Sequence, residues 1–231
     1  MFDISPTEWT AVLLSLRVAV VATLVATPIG IAVAWILARS RFWGKPFVDA
    51  MIYLPLVLPP VVTGYLLLLT FGKRGLVGAW LYDHLGIVFA FRWTGAALAC
   101  GVMSFPLLVR PIRLSIEAID RRLEQAASTL GASPWKVFVT VTLPLALPGI
   151  LAGMVLGFAK AIGEFGATIT FVSNIPGETQ TISSAIYSLI STPDGDAAAL
   201  RLVIVSIVIA MAALVASEVF ARRATRRLHG N

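Results

Sequence analysis

From Val18 to Ala38 the chain contains no charged residue, and a second such run extends from Val137 to Ala159. As a helix, each is long enough to cross a hydrocarbon core about 30 Å thick, which takes about 20 apolar residues. No water is present in that core to satisfy free peptide groups, so a run of this kind must close its hydrogen bonds within the segment. The constraint fixes an all-α integral membrane protein. Less perfect runs add three more spans, and the expected helices cover residues 11–38, 48–71, 93–112, 137–162 and 200–221. Composition agrees, with 58% hydrophobic and 13% charged residues against roughly 45–50% and about 25% in soluble domains.

Proline placement qualifies two of these spans. Pro55 and the pair Pro59-Pro60 break the second, and Pro144 and Pro148 predict bent or frayed first turns in the fourth. Residues 165–198 are rich in Ser, Thr, Gly and Pro, have no apolar run of spanning length, and are expected to be extracytoplasmic or re-entrant.

Lys and Arg accumulate on the cytoplasmic side of membrane proteins. Arg39, Arg41 and Lys45 follow the first span; Arg110, Arg113, Arg121, Arg122 and Lys136 occupy the link between the third and fourth; Arg222, Arg223, Arg226 and Arg227 close the chain. Five alternating spans put these three groups on one side. The expected topology therefore has residues 1–10 outside, a membrane-spanning domain over 11–221, a cytoplasmic loop over 113–136 and a basic cytoplasmic tail over 222–231. The acidic opening, with no base before Arg17, argues against a cleaved signal peptide. The positive charge is thereby explained without nucleic acid. The lone Cys100 and the separated His84 and His229 offer no disulfide or metal-ligand spacing, so no metal site is expected. No G-x-x-x-x-G-K-[ST] occurs, so the chain has no phosphate loop of its own.

The cytoplasmic loop is unusually ordered in its pattern. Ile116, Ile119, Leu123, Ala126 and Leu130 recur at helical spacing among charged residues, which predicts one amphipathic helix. Gly131 supplies a left-handed stop, and Ser133-Pro134 an N-cap and first-turn proline for the next helix. A charged helix face is often no more than solvated surface. Here, however, Glu124, Ala126 and Ala127, then Gly131, then Val141 and Leu143-Pro144 reproduce the spacing of the EAA loop. On these residues the chain resembles the type I ABC importer permease family over about Val12 to Ser217. The resemblance implies that the loop is a coupling helix seated on a separate ATPase subunit, with Glu124, Ala126, Ala127, Leu130, Gly131 and Leu123 as the coupling residues. It also implies a bacterial plasma (inner) membrane location, two ATP-binding cassette ATPase subunits that use ATP and Mg, and an extracytoplasmic binding protein. No cofactor is expected on this chain, and it is not itself an enzyme. Five helices without an internal repeat do not readily enclose a polar path, so a homodimer is expected.

The segments "LPLVLPPVVTGYLLL", "MSFPLLVRPIRL" and "GEFGATITFVSNIPGETQTI" are similar to those of molybdate permeases in this family, which implies a molybdate-binding protein as the extracytoplasmic partner. Sulfate and thiosulfate permeases share the Gly-Glu-Phe-Gly-Ala part, so these oxyanions and tungstate are the alternative cargoes. A proton-coupled carrier is a further alternative, but buried acid chains and paired inverted repeats are missing. Expected path or gate residues are Glu164, Gly166, Thr168, Thr170, Ser173, Asn174, Pro59 and Pro60. The hydroxyls and amide are expected as neutral donors to an anion that must also leave. Lys160, four residues before Glu164, is expected to form a structural or gate-holding ion pair with it rather than to bring the acid to the cargo, which a carboxylate would repel.

Overall fold

The computed structural model describes residues 4–229, with side chains through Ala216. The first three residues of the expected outer N-terminus and the last two of the expected basic tail lie outside the described residues, as do the side chains of Arg222, Arg223, Arg226 and Arg227. In chain order the helices are α1 (Pro6–Arg39), α2 (Lys45–Val57), α3 (Pro60–Phe71), α4 (Leu76–Leu85), α5 (Trp93–Glu117), α6 (Arg121–Thr129), α7 (Pro134–Val137), α8 (Leu143–Ile162), α9 (Gly166–Val172), α10 (Ile182–Ile190) and α11 (Asp196–His229). A π-turn over Phe138–Thr142 joins α7 to α8.

α1 begins at Pro6 rather than at residue 11 because Ser5 and Glu8 form a reciprocal capping box, with Pro6 in the first turn. The expected second span, 48–71, is two helices that meet at 114°. Pro55 lies inside α2, and the break falls at Leu58-Pro59. Each of these residues precedes a proline and is held in extended backbone, with ψ of 144° and 133° respectively, where a helix cannot continue. α1, α5, α11 and the continuous run Pro134–Ile162 are each long and apolar enough to cross a membrane. The bent pair α2–α3, taken as one broken span, makes the fifth. The 165–198 segment contains α9 and α10, of 7 and 9 residues, both short of spanning length.

Bent first turns in the fourth span become the π-turn. Pro144 has no N–H to give the Thr140 carbonyl, and one residue before it the ladder widens, with the Leu143 N–H bonding to the Phe138 carbonyl.

α5 is the central element, packed between α1 and α8. Lipid tails are as apolar as Leu, so helices in a membrane associate by close packing of small residues. α8 meets α5 through Gly149, Gly153 and Gly157, all on one face. A Cβ on Gly153 would lie 2.5 Å from the Leu108 carbonyl oxygen, and one on Gly149 2.6 Å from that of Pro111, so the two backbones touch. Ala19, Ala22, Ala26 and Ala34 give α1 a similar small-residue face. Polar ties join the same bundle. Arg113 of α5 holds Asp49 of α2 at 2.6 Å, Arg201 of α11 holds Glu8 of α1 at 2.8 Å, and the Ser15 hydroxyl accepts from the Ile182 N–H at 2.7 Å.

Candidate functional site

Two places gather the residues that the sequence singles out: the corner between α5 and α8, and the crossing of α3 with α9. At the corner, α5 ends at Glu117 and a short turn leads to Asp120, whose carboxylate accepts from the Arg122 N–H and caps α6. α6 closes with a pair of bonds, Gly131 N–H to Ser128 carbonyl at 3.0 Å and Ala132 N–H to Ala127 carbonyl at 3.2 Å. This double closure requires a left-handed residue after the cap, and Gly131 has φ of +84°. Ser133 then caps α7, with Pro134 in its first turn. The Gly131 stop and the Ser133-Pro134 start therefore stand where the sequence predicts them.

The single amphipathic helix does not. Ile116 is the last buried residue of α5 and Ile119 lies in the turn, both packed into the core, whereas Leu123 on α6 and Leu130, which caps its end, face outward. The apolar stripe splits because Asp120 is more stable as a cap in extended backbone than as a helix interior residue. What remains on α6 is a polar helix whose apolar side chains have no cover. Leu123 is half-exposed, Leu130 is 89% exposed, and Trp135 on α7 is 73% exposed. Trp135 is a residue that the sequence reading missed, and its position one after an N-terminal Pro offers no periodic clue. Ala126 is exposed and Ala127 half-buried on the same helix.

Glu124 turns the other way. One of its carboxylate oxygens, Oε1, accepts from Arg39 Nε and Nη2 at 3.2 and 3.1 Å and from the Thr142 hydroxyl at 2.7 Å. Arg39 also donates to the Ile119 carbonyl at 3.4 Å. Glu124 thus fastens α6 to the end of α1 and to the π-turn, whose wider ring accompanies a buried Thr142 directed at the carboxylate. The corner is fastened on its inner side by Glu124 and leaves Leu123, Leu130 and Trp135 uncovered among polar residues on its outer side.

At the crossing, Gly64 of α3 lies against α9 so closely that a Cβ there would stand 2.5 Å from the Ala167 carbonyl oxygen and 2.9 Å from the Thr170 Cβ. Reciprocally, a Cβ on Gly166 would lie 2.7 Å from the Pro60 Cβ. The helix break at Pro59-Pro60 is thereby brought to the start of α9. Glu164, between α8 and α9, is buried; it accepts from the Ala167 N–H at 3.0 Å and from Lys160 Nζ at 2.7 Å. The hydroxyl protons of Thr168 and Thr170 go to the Phe165 and Gly166 carbonyls, each at 2.8 Å. Ser173 ends α9 with φ of +64° and ψ of −160°, a region that costs a non-glycine residue about 1–3 kcal/mol. Asn174 donates to the Ser188 hydroxyl at 2.6 Å. Glu164, Gly166, Thr168, Thr170, Pro59 and Pro60 therefore share one locality, with Ser173 and Asn174 at the far end of α9.

A family model described as "Binding-protein-dependent transport system inner membrane component" matches residues 26–226. The molybdenum transport system permease protein ModB of Escherichia coli (strain K12) is 60% identical over 220 residues, which are 95% of this chain and 96% of that protein. Among solved structures, the inward-facing MetNI methionine ABC transporter aligns with a TM-score of 0.76 at 16% identity, over 97% of this chain and 100% of its own. A bacterial alginate ABC transporter, solved in complex with a pentasaccharide-bound periplasmic protein, aligns with a TM-score of 0.70 at 21% identity, over 98% of this chain and 81% of its own. These two share the fold with this chain. With the family model covering most of its length, the chain belongs to the binding-protein-dependent transport system inner membrane components, as a multi-pass permease of ABC importer fold.

Proposed function

We propose that the chain is the permease subunit of an ATP-driven molybdate importer. Its similarity to ModB across nearly the whole chain supports the cargo, and the observation that carries the mechanism is the corner. A polar helix that turns its acid inward and leaves Leu123, Leu130 and Trp135 uncovered is built to be held by another protein. That partner is an ATPase subunit, one for each of two permease copies, with ATP and Mg bound on the ATPase. The second permease copy completes the path, and a molybdate-binding protein delivers the oxyanion from outside. In this reading residues 1–10 are extracytoplasmic and the 113–136 loop and 222–231 tail cytoplasmic.

The chain's own contribution is mechanical and electrostatic. Closure of the ATPases displaces α6 and α7; Glu124 passes the displacement to α1 through Arg39, and the π-turn passes it to α8. The experiment is uptake of radiolabelled molybdate by proteoliposomes that contain the permease, its ATPase and its binding protein. ATP-dependent molybdate accumulation that sulfate fails to inhibit is expected. Sulfate accumulation with no molybdate uptake overturns the cargo, and uptake that proceeds without the ATPase overturns the mechanism.

A further inference from the structure

We propose that Lys160 is the cation that meets the oxyanion in the transport path, and that Glu164 positions it there without touching the cargo. The proposal rests on the importer reading above and assigns a role within it that the ion pair alone does not imply.

The pair is lopsided. The Glu164 side chain is 1% exposed and the Lys160 side chain 30%. Both carboxylate oxygens are occupied, Oε2 by Lys160 and Oε1 by the Ala167 N–H, so the acid is sealed at the start of α9. An ammonium has three N–H donors. One goes to Glu164, and among the described residues Lys160 has no second acceptor. Lys160 follows Gly153 and Gly157 on the side of α8 that meets α5, yet Leu156 before it and Gly163 just past the end of the helix are exposed, and the Lys160 side chain keeps part of its surface open in the single chain. Here the negative end is hidden and the positive end is offered.

The cargo needs such a group. An uncompensated ion in a low-dielectric interior costs tens of kcal/mol by Born estimates. The neighbouring Thr168 and Thr170 have already given their hydroxyl protons to backbone carbonyls. Between Lys136 and Arg201 the sequence contains no basic residue other than Lys160. Two copies of the chain would present two ammonium groups to one dianion. Because each remains tied to a carboxylate, its attraction is reduced, as suits a site that must release what it binds.

The test uses the full assembly in proteoliposomes. Lys160→Gln should lower initial molybdate uptake at least tenfold, and Lys160→Arg should restore most of it. Glu164→Gln, whose amide oxygen can still accept from Ala167, should lose only about threefold. Equal losses in Lys160→Gln and Glu164→Gln would mean that the pair acts only as a strut, and would overturn the proposal. If Lys160→Gln fails to assemble with the ATPase, Lys160→Cys in a Cys100→Ser background decides. Aminoethyl methanethiosulfonate should restore uptake, sulfonatoethyl methanethiosulfonate should not, and molybdate should slow the reaction of the introduced thiol. Rescue by both reagents or by neither overturns the proposal. A wild-type assembly that carries sulfate instead of molybdate overturns the cargo reading alone, because the Lys160 and Glu164 asymmetry is then measured with sulfate.

Discussion

Replacing Glu124 by Ala removes the carboxylate that ties α6 to the body of the protein through Arg39 and Thr142. Thr142 is buried, so its hydroxyl loses a partner where water cannot replace it, at a cost of about 1–3 kcal/mol. The Arg39 side chain is 14% exposed and recovers part of its hydration by turning outward. The bonds to Arg39 are charge-assisted, worth about 1.5–3 kcal/mol in a favourable setting, but they share one oxygen with the Thr142 bond and do not add in full. The net loss is about 2–3 kcal/mol, which lowers the ratio of docked to undocked α6 roughly 30- to 150-fold. Hydrogen exchange in the assembled transporter reads this directly: amides of α6 should exchange faster by that factor, while those of the buried middle of α5 keep their rates. ATP consumed per molybdate imported should rise in the same variant. A cycle with Arg39→Ala should return a coupling energy of about 1 kcal/mol or more. Unchanged α6 exchange together with an unchanged ATP cost would refute the view that Glu124 mounts the corner.

Gly131→Val forces a β-branched residue into positive φ, and since nothing lies within 4 Å of an added Cβ the penalty is in the backbone alone, about 1–2 kcal/mol. The variant should insert into membranes normally and lose most transport, whereas Gly131→Asn should retain more, as read by uptake in proteoliposomes. Leu123→Asp should abolish ATPase copurification by placing a charge on the uncovered side of α6, while Arg122→Lys should leave it intact. Gly64→Leu should separate α3 from α9 and reduce thermal stability of the detergent-solubilised protein, because the Ala167 carbonyl and the Thr170 side chain cannot both move aside. In a Cys100→Ser background, a Cys at Ser5 should react with an impermeant thiol reagent in intact cells and one at Thr225 should not; the reverse pattern refutes the orientation.

Local spacing made some of this readable and distance hid the rest. Gly131, Ser133-Pro134 and the Lys160 to Glu164 pair are relations within four residues, set by helix geometry alone, and the structure has them as the sequence predicts. The breaks at Pro59-Pro60 and before Pro144 were legible as breaks, because a missing N–H is a property of the residue. Their forms, a 114° bend and a π-turn, depend on what packs against them. Ile116 and Ile119 share a helical period with Leu123, and period cannot tell a stripe that faces the protein's own core from one that faces outward. Glu124 finds Arg39 across 85 residues, a contact that only the folded arrangement of α1 against α6 creates. The Thr168 and Thr170 hydroxyls, expected as donors to the anion, instead donate to the Phe165 and Gly166 carbonyls, because both residues lie in α9, a short helix with too little apolar period to be read from the sequence, where such back-bonding to the preceding turn is common.

The glycine seam between α5 and α8 makes the two helices a beam rather than a pair of independent rods, since neither can slide or roll without driving backbone into backbone. The corner is attached to that beam at one end, through both the last turn of α5 and the π-turn. α8 alone has 20 residues, so at 1.5 Å per residue the arm is about 30 Å long. Rotating such an arm by roughly 5° about the corner sweeps its far end through about 2.6 Å, about half the pitch of an α-helix. Lys160 rides near that far end. In the proposed importer a small rotation at the corner would therefore be geared up, by leverage alone, into a stroke of that size at the Lys160 end of the beam.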